Sequence, residues 1–361
     1  MNFQLVFNTV SFGFCSYNIM REMFKRNIRP RLFPEGNQFE LSAYNRIRGD
    51  FKQYLLECSN SARRDYTRND SGFRLWHIFG SEATISKRNS LFTFYELNEL
   101  TREERNTLNN QDSILVSSFE TKEVFESQGV KTPVIYAPLG FDEENVYQTG
   151  KTYYPPEITV FGIFGKWEKR KHHEKAIRAW LKRFGGRRDC ILHTHIHNPH
   201  FSAEDNARIL AGLFDGKPRP ANVNTLPFMK TLSELNECYN AVNIVIDMSG
   251  AEGFSLPSFN CMALGKHGVI HNCSAMKDWA PQAGATLVEP RGEEEVYDGV
   301  FFNKGQPYNQ GTIKTWNEDE FISACETAMA KSRKNPVNKD GELLQKEFTW
   351  SRTVNAILGT L

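Results

Sequence analysis

Two segments of this chain carry residue types suited to stabilising a charged leaving group. The first is Phe161-Gly-Ile-Phe-Gly165-Lys166-Trp-Glu-Lys-Arg170-Lys171-His172-His173, an apolar run that ends at a glycine and opens into a basic stretch. Five basic and two acidic residues stand between Lys166 and Lys175. Cations at the start of a helix are electrostatically unfavourable unless an anion joins them. A diphosphate would fit, with Lys166 and Lys171 neutralising charge as it grows; the plain alternative is a solvated basic loop. The second segment runs Asp247-Met-Ser-Gly-Ala-Glu252-Gly253-Phe254-Ser255-Leu256-Pro257-Ser-Phe-Asn260 and on to Gly265. A strand, a glycine-containing turn and then a helix leave amide N–H groups near Gly253, Phe254, Ser255 and Leu256 for phosphate oxygens. A carboxylate would repel phosphate, so Glu252 at the mouth of that turn suits sugar hydroxyls. Its plain alternative is a first-turn carboxylate favoured by the helix dipole.

Such groups need elements to hold them, and the chain offers short β-rich apolar runs alternating with amphipathic stretches, the pattern of parallel α/β domains. In the first half, strands are expected at Phe3–Val10, Arg31–Phe33, Leu75–Phe79, Leu91–Phe94, Ile114–Val116 and Val134–Tyr136. Helices are expected at Tyr17–Arg26, Ala43–Cys58 and Glu120–Gln128. Gly150 and the Pro155-Pro156 pair mark a linker over Gln148–Pro156. Strands then follow at Ile158–Phe164, Cys190–His197, Val242–Asp247, Val269–Ile270 and Thr286–Val288, with a closing helix over Trp350–Leu361. The expected division is therefore 1–150, 151–345 and a terminal helix over 346–361 that crosses back to the first domain. Two open parallel sheets facing one another would leave a ligand cleft between the carboxyl ends of their strands.

Length and composition agree with two ordinary domains. The chain has 361 residues, 40% hydrophobic and 24% charged. No run approaches the ~20 apolar residues of a spanning helix, so no integral membrane segment is expected. Met1–Val10 lacks a basic flank and reads as a buried strand instead of a signal peptide. Seven cysteines, with no Cys-x-x-Cys pair, suggest reduced thiols and a cytoplasmic protein.

The two charged segments resemble the donor-binding motifs of glycosyltransferase family 4, a retaining family of the GT-B fold. Its strand-Gly-Arg-x-x-x-x-Lys motif is similar to Gly165–Lys171, with Lys166 where Arg is usual. Its Glu-Gly-Phe-Gly-Leu-Pro-x-x-Glu motif is similar to Glu252–Asn260, with Asn260 in place of the second Glu, the usual ribose partner. Ile114–Asp142, Tyr239–Asp247 and Phe348-Thr-Trp350 resemble further family segments, so the likeness spans about residues 90–361. The family's Gly-Gly loop appears as Ser11-Phe12-Gly13-Phe14, with one glycine.

The resemblance implies two Rossmann-like domains facing a central cleft and a nucleotide-diphosphate sugar as donor substrate, without a cofactor or catalytic metal. The catalytic candidates are Glu252, Lys166, Lys171, His77 and Glu96, the last two from first-domain strands. The donor-binding candidates are Gly13, Gly165, Arg170, His197, Asn198, Gly253, Phe254, Ser255, Leu256 and Asn260. His193, His195 and His197 alternate along a strand and could hold a metal; contact of His197 or Asn198 with base or ribose is the milder idea. Plain roles remain beside these: a satisfied semi-buried histidine for His77 and a structural carboxylate for Glu96.

The acceptor is less defined. Residues 1–90 hold 14 Lys and Arg against 8 Asp and Glu, with Phe12, Phe14 and Tyr17 near the cleft loop. Basic residues with aromatics suit phosphate contact and base stacking, and this segment resembles bacteriophage members of the family, some of which sugar modified DNA bases. DNA, with a hydroxymethylated base flipped out, is one acceptor. A saccharide or lipid-linked acceptor is the other. A GT-B sugar-nucleotide epimerase or a non-catalytic binding protein is the reading from another class.

Overall fold

Apolar runs of four to six residues here become strands buried on both faces, which requires helices above and below them. The computed structural model describes residues 1–214 and 216–361. Its first sheet contains β1 (Asn2–Leu5), β2 (Arg31–Pro34), β3 (Gly72–Leu75), β4 (Asn89–Thr93), β5 (Ser113–Val116) and β6 (Val134–Tyr136), in the order β2-β1-β3-β4-β5-β6. The second contains β7 (Thr159–Phe164), β8 (Cys190–His195), β9 (Val223–Thr225), β10 (Ile244–Asp247), β11 (His267–His271) and β12 (Thr286–Val288), in the order β12-β11-β10-β7-β8-β9. All pairings in both sheets are parallel.

The crossovers use α1 (Ser11–Lys25), α2 (Gly49–Arg64), α3 (Arg102–Asn109) and α4 (Phe119–Ser127) in the first lobe. The second lobe uses α5 (His173–Phe184), α6 (Ala203–Gly212), α7 (Leu232–Ala241), α8 (Leu256–Ala263) and α9 (Glu318–Lys334). α10 (Lys339–Glu347) packs on α8, and α11 (Trp350–Leu358) packs on α1 of the first lobe. Arg26 donates to Asn355 Oδ1 at 2.6 Å and to the Ser351 carbonyl at 2.8 Å, which fastens α11 there.

Both sheets reverse their strand order once, between β1 and β3 and between β7 and β10. Ligands of open α/β sheets bind at such switch points, outside the carboxyl ends of the strands. The two segments with chemical promise follow β7 and β10, so the topology brings them side by side.

Three elements depart from the sequence expectation. The chain leaves β1 after Leu5, and Ser11 already opens α1, because Gly13 and Asn8 turn it sharply. β3 ends at Leu75, so Trp76-His77-Ile78-Phe79 is a loop at the carboxyl edge, although its residues are as apolar as a strand. α2 starts at Gly49 and not Ala43, since residues 38–48 pack across to the second lobe. β9 and an antiparallel hairpin, β13 (Pro290–Glu295) with β14 (Thr312–Trp316), lie outside the expected strands. Their sequences are polar and offer no apolar period.

Candidate active site

β7 ends at Phe164, and Gly165 then takes φ +134°, a conformation that side-chain-bearing residues rarely adopt. A 3-10 turn over Lys169–Lys171 leads to His172, itself left-handed at φ 51°, and into α5. This tight path folds the basic run back toward the loop after β10. Lys171 Nζ pairs with Glu252, and Arg170 bonds the other Glu252 oxygen at 3.2 Å. Arg170 also donates to the Ala251 carbonyl at 2.7 Å and meets Glu168 at 2.7 Å. Lys166 reaches the second Glu168 oxygen at 2.7 Å. The basic stretch is therefore a buried network of alternating sign, which a desolvated cation requires.

The pKa shifts follow from that network. Burial alone would raise Glu168, but Arg170, Lys171 and Lys166 outweigh it and bring its carboxyl down to about 2. Burial opposes the charge on Arg170, and Glu168, Glu252 and Glu96 more than restore it, so its pKa is raised. Burial together with Lys171 holds His173 neutral, at about 3.

The second wall starts at Asp247, the last residue of β10. Its carboxylate accepts from Ser249 Oγ at 2.6 Å and from the hydroxyls of Ser255 and Ser258. Burial would raise its pKa, yet Lys171 and these hydroxyls lower it. These bonds hold Ser255 at φ 65° in the cap position of α8, with its side chain spent on Asp247. Neither α8 nor α5 has a side-chain cap at its N-terminus, and Pro257 fills the first turn of α8. Orphan amides at such a terminus favour an anion.

The first lobe closes over these loops. Ser117 donates to the Gly253 carbonyl, and a Cβ placed on Gly253 would lie 2.9 Å from that of Phe94. Glu96, just beyond β4, approaches Arg170 at 3.6 Å. Burial raises the Glu96 pKa, Arg170 opposes that rise, and Glu252 and Glu168 add to it. His77 is solvent-accessible at the cleft mouth, its ring 4.6 Å from Phe12. Crowding by protein atoms and the Lys166 charge lower its pKa. Between the lobes lies a cavity of about 200 Å³ whose walls include Asn8, Ser11, Gly165, Lys166, Leu256 and Asn260.

No family model and no curated protein matches the chain. Solved structures do. A sucrose-phosphate synthase from Thermosynechococcus elongatus superposes with TM-score 0.71 at 13% identity, covering 99% of this chain and 97% of that one. HepE from Anabaena, in complex with UDP-glucose, gives TM-score 0.64 at 13% identity over 100% of both chains. Trehalose-6-phosphate synthase from E. coli, bound with UDP-2-fluoro glucose, gives 0.65 at 10% identity over 99% and 98%. The fold is GT-B.

Within the GT-B frame, most of the expected site residues converge. Glu252, Lys171, Arg170, Glu96 and Gly253 form one interlobe cluster. Gly165, Lys166, His197, Leu256 and Asn260 line the adjoining cavity. Gly13 lies one turn into α1, donating to Asn8 Oδ1 at 3.0 Å in the loop that forms the opposite wall. Phe254 is buried against Phe259 and Phe348, so its ring is core.

Asn198 braces its own loop. Its amide nitrogen donates to the Trp167 carbonyl at 2.8 Å and its oxygen accepts the His200 amide at 3.0 Å. Both ends are committed to the loop. The histidine strand is likewise occupied with structure. His193 bonds Tyr154 at 2.8 Å, and His195 Nε2 accepts the Met229 amide at 3.1 Å. Burial lowers both to about 4, so they stay neutral. Among the described residues no cluster of His, Cys, Asp or Glu could hold a metal.

Glu168, the acid that orders the basic run, went unrecognised as a site residue. Its signal was an acid two residues after Lys166 in an otherwise cationic run. Phe12, Trp76, His77 and Phe94 form an aromatic wall with ring centroids 4.6–6.1 Å from Phe12. Part of the first-lobe charge excess is ion-paired or lies away from the cleft, whereas Arg46 is exposed on the interlobe segment 38–48. Arg21, Arg26, Arg29, Arg31 and Arg48 all hold ion pairs. Arg63, Arg64, Arg68, Lys87 and Arg88 are exposed ahead of β3 and β4, at the edge opposite the cleft.

Proposed function

We propose that this protein is a retaining glycosyltransferase that moves a sugar from a nucleoside-diphosphate sugar to an acceptor hydroxyl. The observation that carries the reading is the convergence of Lys171 and Arg170 on Glu252, beside an uncapped helix and an interlobe cavity. Lys166, Lys171 and the amides leading into α8 receive the diphosphate. Glu252, held on their sugar side, accepts hydrogen bonds from sugar hydroxyls. The acceptor oxygen attacks the anomeric carbon on the face that the diphosphate leaves. The carbon–oxygen bond to phosphate breaks, and the departing phosphate oxygen takes the acceptor's proton. Charge rises on that oxygen, where fixed cations and amides are most effective. HepE and the trehalose-6-phosphate synthase, of the same fold, are seen with UDP-glucose and a fluorinated analogue of it. No helix among the described residues is long and apolar enough to cross a membrane.

For the acceptor, the aromatic wall of Phe12, Trp76 and Phe94 supports a saccharide, whose C–H face packs on such rings. Apart from Arg46, exposed on residues 38–48, the ion-paired or cleft-averted cations named above give a DNA backbone little to contact there. The test is release of nucleoside diphosphate from a panel of nucleotide sugars, with and without saccharide acceptors. Lys171→Met is expected to lower turnover about 100- to 1,000-fold. Turnover unchanged in Lys171→Met and in Glu252→Gln rejects the reading. Binding of duplex DNA at ~50 mM salt, followed by its glycosylation, would replace the saccharide with DNA.

A further inference from the structure

A cavity of about 1030 Å³, against about 200 Å³ between the lobes, lies wholly on the second lobe. The loop after β7 separates the two. Gly165 and Lys166 line the smaller cavity, and Trp167, Glu168 and Lys169 line the larger. The transfer chemistry described above places no substrate in the larger one.

Its floor is apolar and is assembled from three loops and a helix. Trp167 belongs to the loop after β7, Phe201 to the loop after β8, and Phe301 to the connection between β13 and β14. Hydrogen bonds to the backbone fix each of them. Asn198 donates to the Trp167 carbonyl at 2.8 Å, and Asn206 donates to the Phe201 carbonyl at 3.3 Å. Asp298 Oδ1 accepts the amides of Val300, Phe301 and Phe302 at 2.8–3.0 Å. Phe201 stacks on Phe301 with centroids 6.2 Å apart. From this end α5 turns one face to the groove, where Glu174, Arg178, Leu181 and Lys182 recur at helical spacing over about 12 Å. Phe214 and Pro218 complete the lining, and Val300 stands 53% exposed within it.

The charges around this floor cancel. Five cations and five carboxylates stand among the described lining residues. Several are paired: Lys182 meets Glu318 at 2.5 Å, Arg178 meets Glu174 at 2.9 Å, and Glu294 bonds His172 at 2.9 Å. A polyanion therefore meets no excess of positive charge. A wholly apolar ligand would leave the charged rim desolvated and without partners. A sugar chain satisfies both features, since the C–H faces of its rings pack on aromatic side chains and its hydroxyls bond to charged groups. The volume stands at the top of the roughly 300–1,000 Å³ of ordinary ligand pockets, which leaves room for more than one ring.

We propose that this groove is a second carbohydrate site, holding a neutral oligosaccharide on the far side of the loop after β7 from the interlobe cavity. Beside a transfer site for saccharides, it keeps a chain close to the cleft and raises its local concentration there. Binding in the groove needs neither donor nor turnover, so it stands or falls apart from the proposed transfer reaction.

The test is a glycan array, followed by calorimetric titration of the neutral hexasaccharides it selects, with glucose and a heparin hexasaccharide as controls and no nucleotide sugar present. The proteins are wild type, Phe214→Ala, Val300→Glu and Glu252→Gln. The expected result is a neutral hexasaccharide bound by wild type more tightly than glucose, weakened about 10-fold or more in Phe214→Ala and Val300→Glu, and bound equally by Glu252→Gln. Val300 is half-exposed, so Val300→Glu retains the fold even where Phe214→Ala loosens packing. Absence of any neutral glycan bound by wild type up to about 5 mM overturns the proposal. Preference for heparin over every neutral chain assigns the groove to a polyanion and also overturns it. Affinity equal in wild type, Phe214→Ala and Val300→Glu, or lost in Glu252→Gln alone, moves the chain to another site with the same consequence. Release of nucleoside diphosphate tests the transfer reaction separately, and none of these outcomes decides it.

Discussion

At the scale of single residues, opposite charges are used in pairs where a lone charge would be costly. Arg170, 8% exposed by its side chain, touches Glu168, Glu252 and Glu96, so a residue expected to bind donor acts as the support for three carboxylates. Glu96 is the member that comes from the other lobe, and burial raises its pKa. A raised carboxylate sheds its proton later as pH climbs. If ionised Glu96 orders the site, the acidic limb of the kcat/KM profile lies above the usual carboxylate range, and Glu96→Gln removes that limb. A pH–rate profile identical in wild type and Glu96→Gln would exclude the residue from the chemistry. Much of this network could be read from the chain. Gly165, Lys166, Lys171 and Glu252 stood out because a glycine-ended apolar run before cations has few other uses. The loop bonds of Asn198 were illegible for the opposite reason: they depend on Trp167 and His200, partners that no local pattern announces.

At the scale of elements, the strands were legible wherever burial on both faces enforced unbroken apolar runs, as in β5 and β7. The β13–β14 hairpin was not. Its residues are charged because it projects from the second lobe, and its pairing is fixed by partners as distant as Trp316 is from Pro290. That hairpin joins the lobes. Asn98 donates to Thr312 Oγ1 at 2.8 Å and accepts the Thr312 amide at 2.9 Å. Thr101 Oγ1 donates to the Pro307 carbonyl at 2.6 Å, and Tyr308 packs on Phe79 with centroids 5.0 Å apart. Asn98→Ala leaves the Thr312 amide without its partner, which costs about 1–3 kcal/mol. The expected result is a lower denaturation midpoint and faster proteolysis within residues 296–311. Unaltered cleavage there would show that the remaining contacts hold the strap alone.

At the scale of the whole molecule, two interlobe contacts test whether closure is needed for turnover. Asp278, in the second lobe, accepts the Phe119 amide of α4 at 2.9 Å. Burial raises its pKa from 3.8 to about 6; the Phe119 amide and Lys277 oppose this, and Glu120 and Glu123 add to it. The folded protein thus holds this proton more tightly than the unfolded chain. The resulting stability is complete below pH 4 and lost as pH rises through 6. Asp278→Asn keeps an oxygen for the Phe119 amide and removes the titration. Its stability should exceed that of wild type at pH 7.5 by on the order of 1–3 kcal/mol and converge with it near pH 4. Parallel denaturation curves at all pH values would contradict this. Gly253 tests closure from the other side. Its amide plane rests against Phe94, and the Cβ of Gly253→Ala would stand 2.9 Å from the Phe94 Cβ, closer than such atoms approach. The backbone there needs no glycine conformation, so the second lobe should fold normally with the lobes held slightly apart. Closure that excludes water and completes the site would govern kcat, whereas Lys166 and Lys171, proposed above to receive the diphosphate, lie within one lobe. Gly253→Ala is therefore expected to lower kcat by 10-fold or more while leaving pyrophosphate affinity within about 2-fold. If both fall together, the second lobe alone does not hold the phosphates; if neither falls, turnover does not require the contact between Gly253 and Phe94.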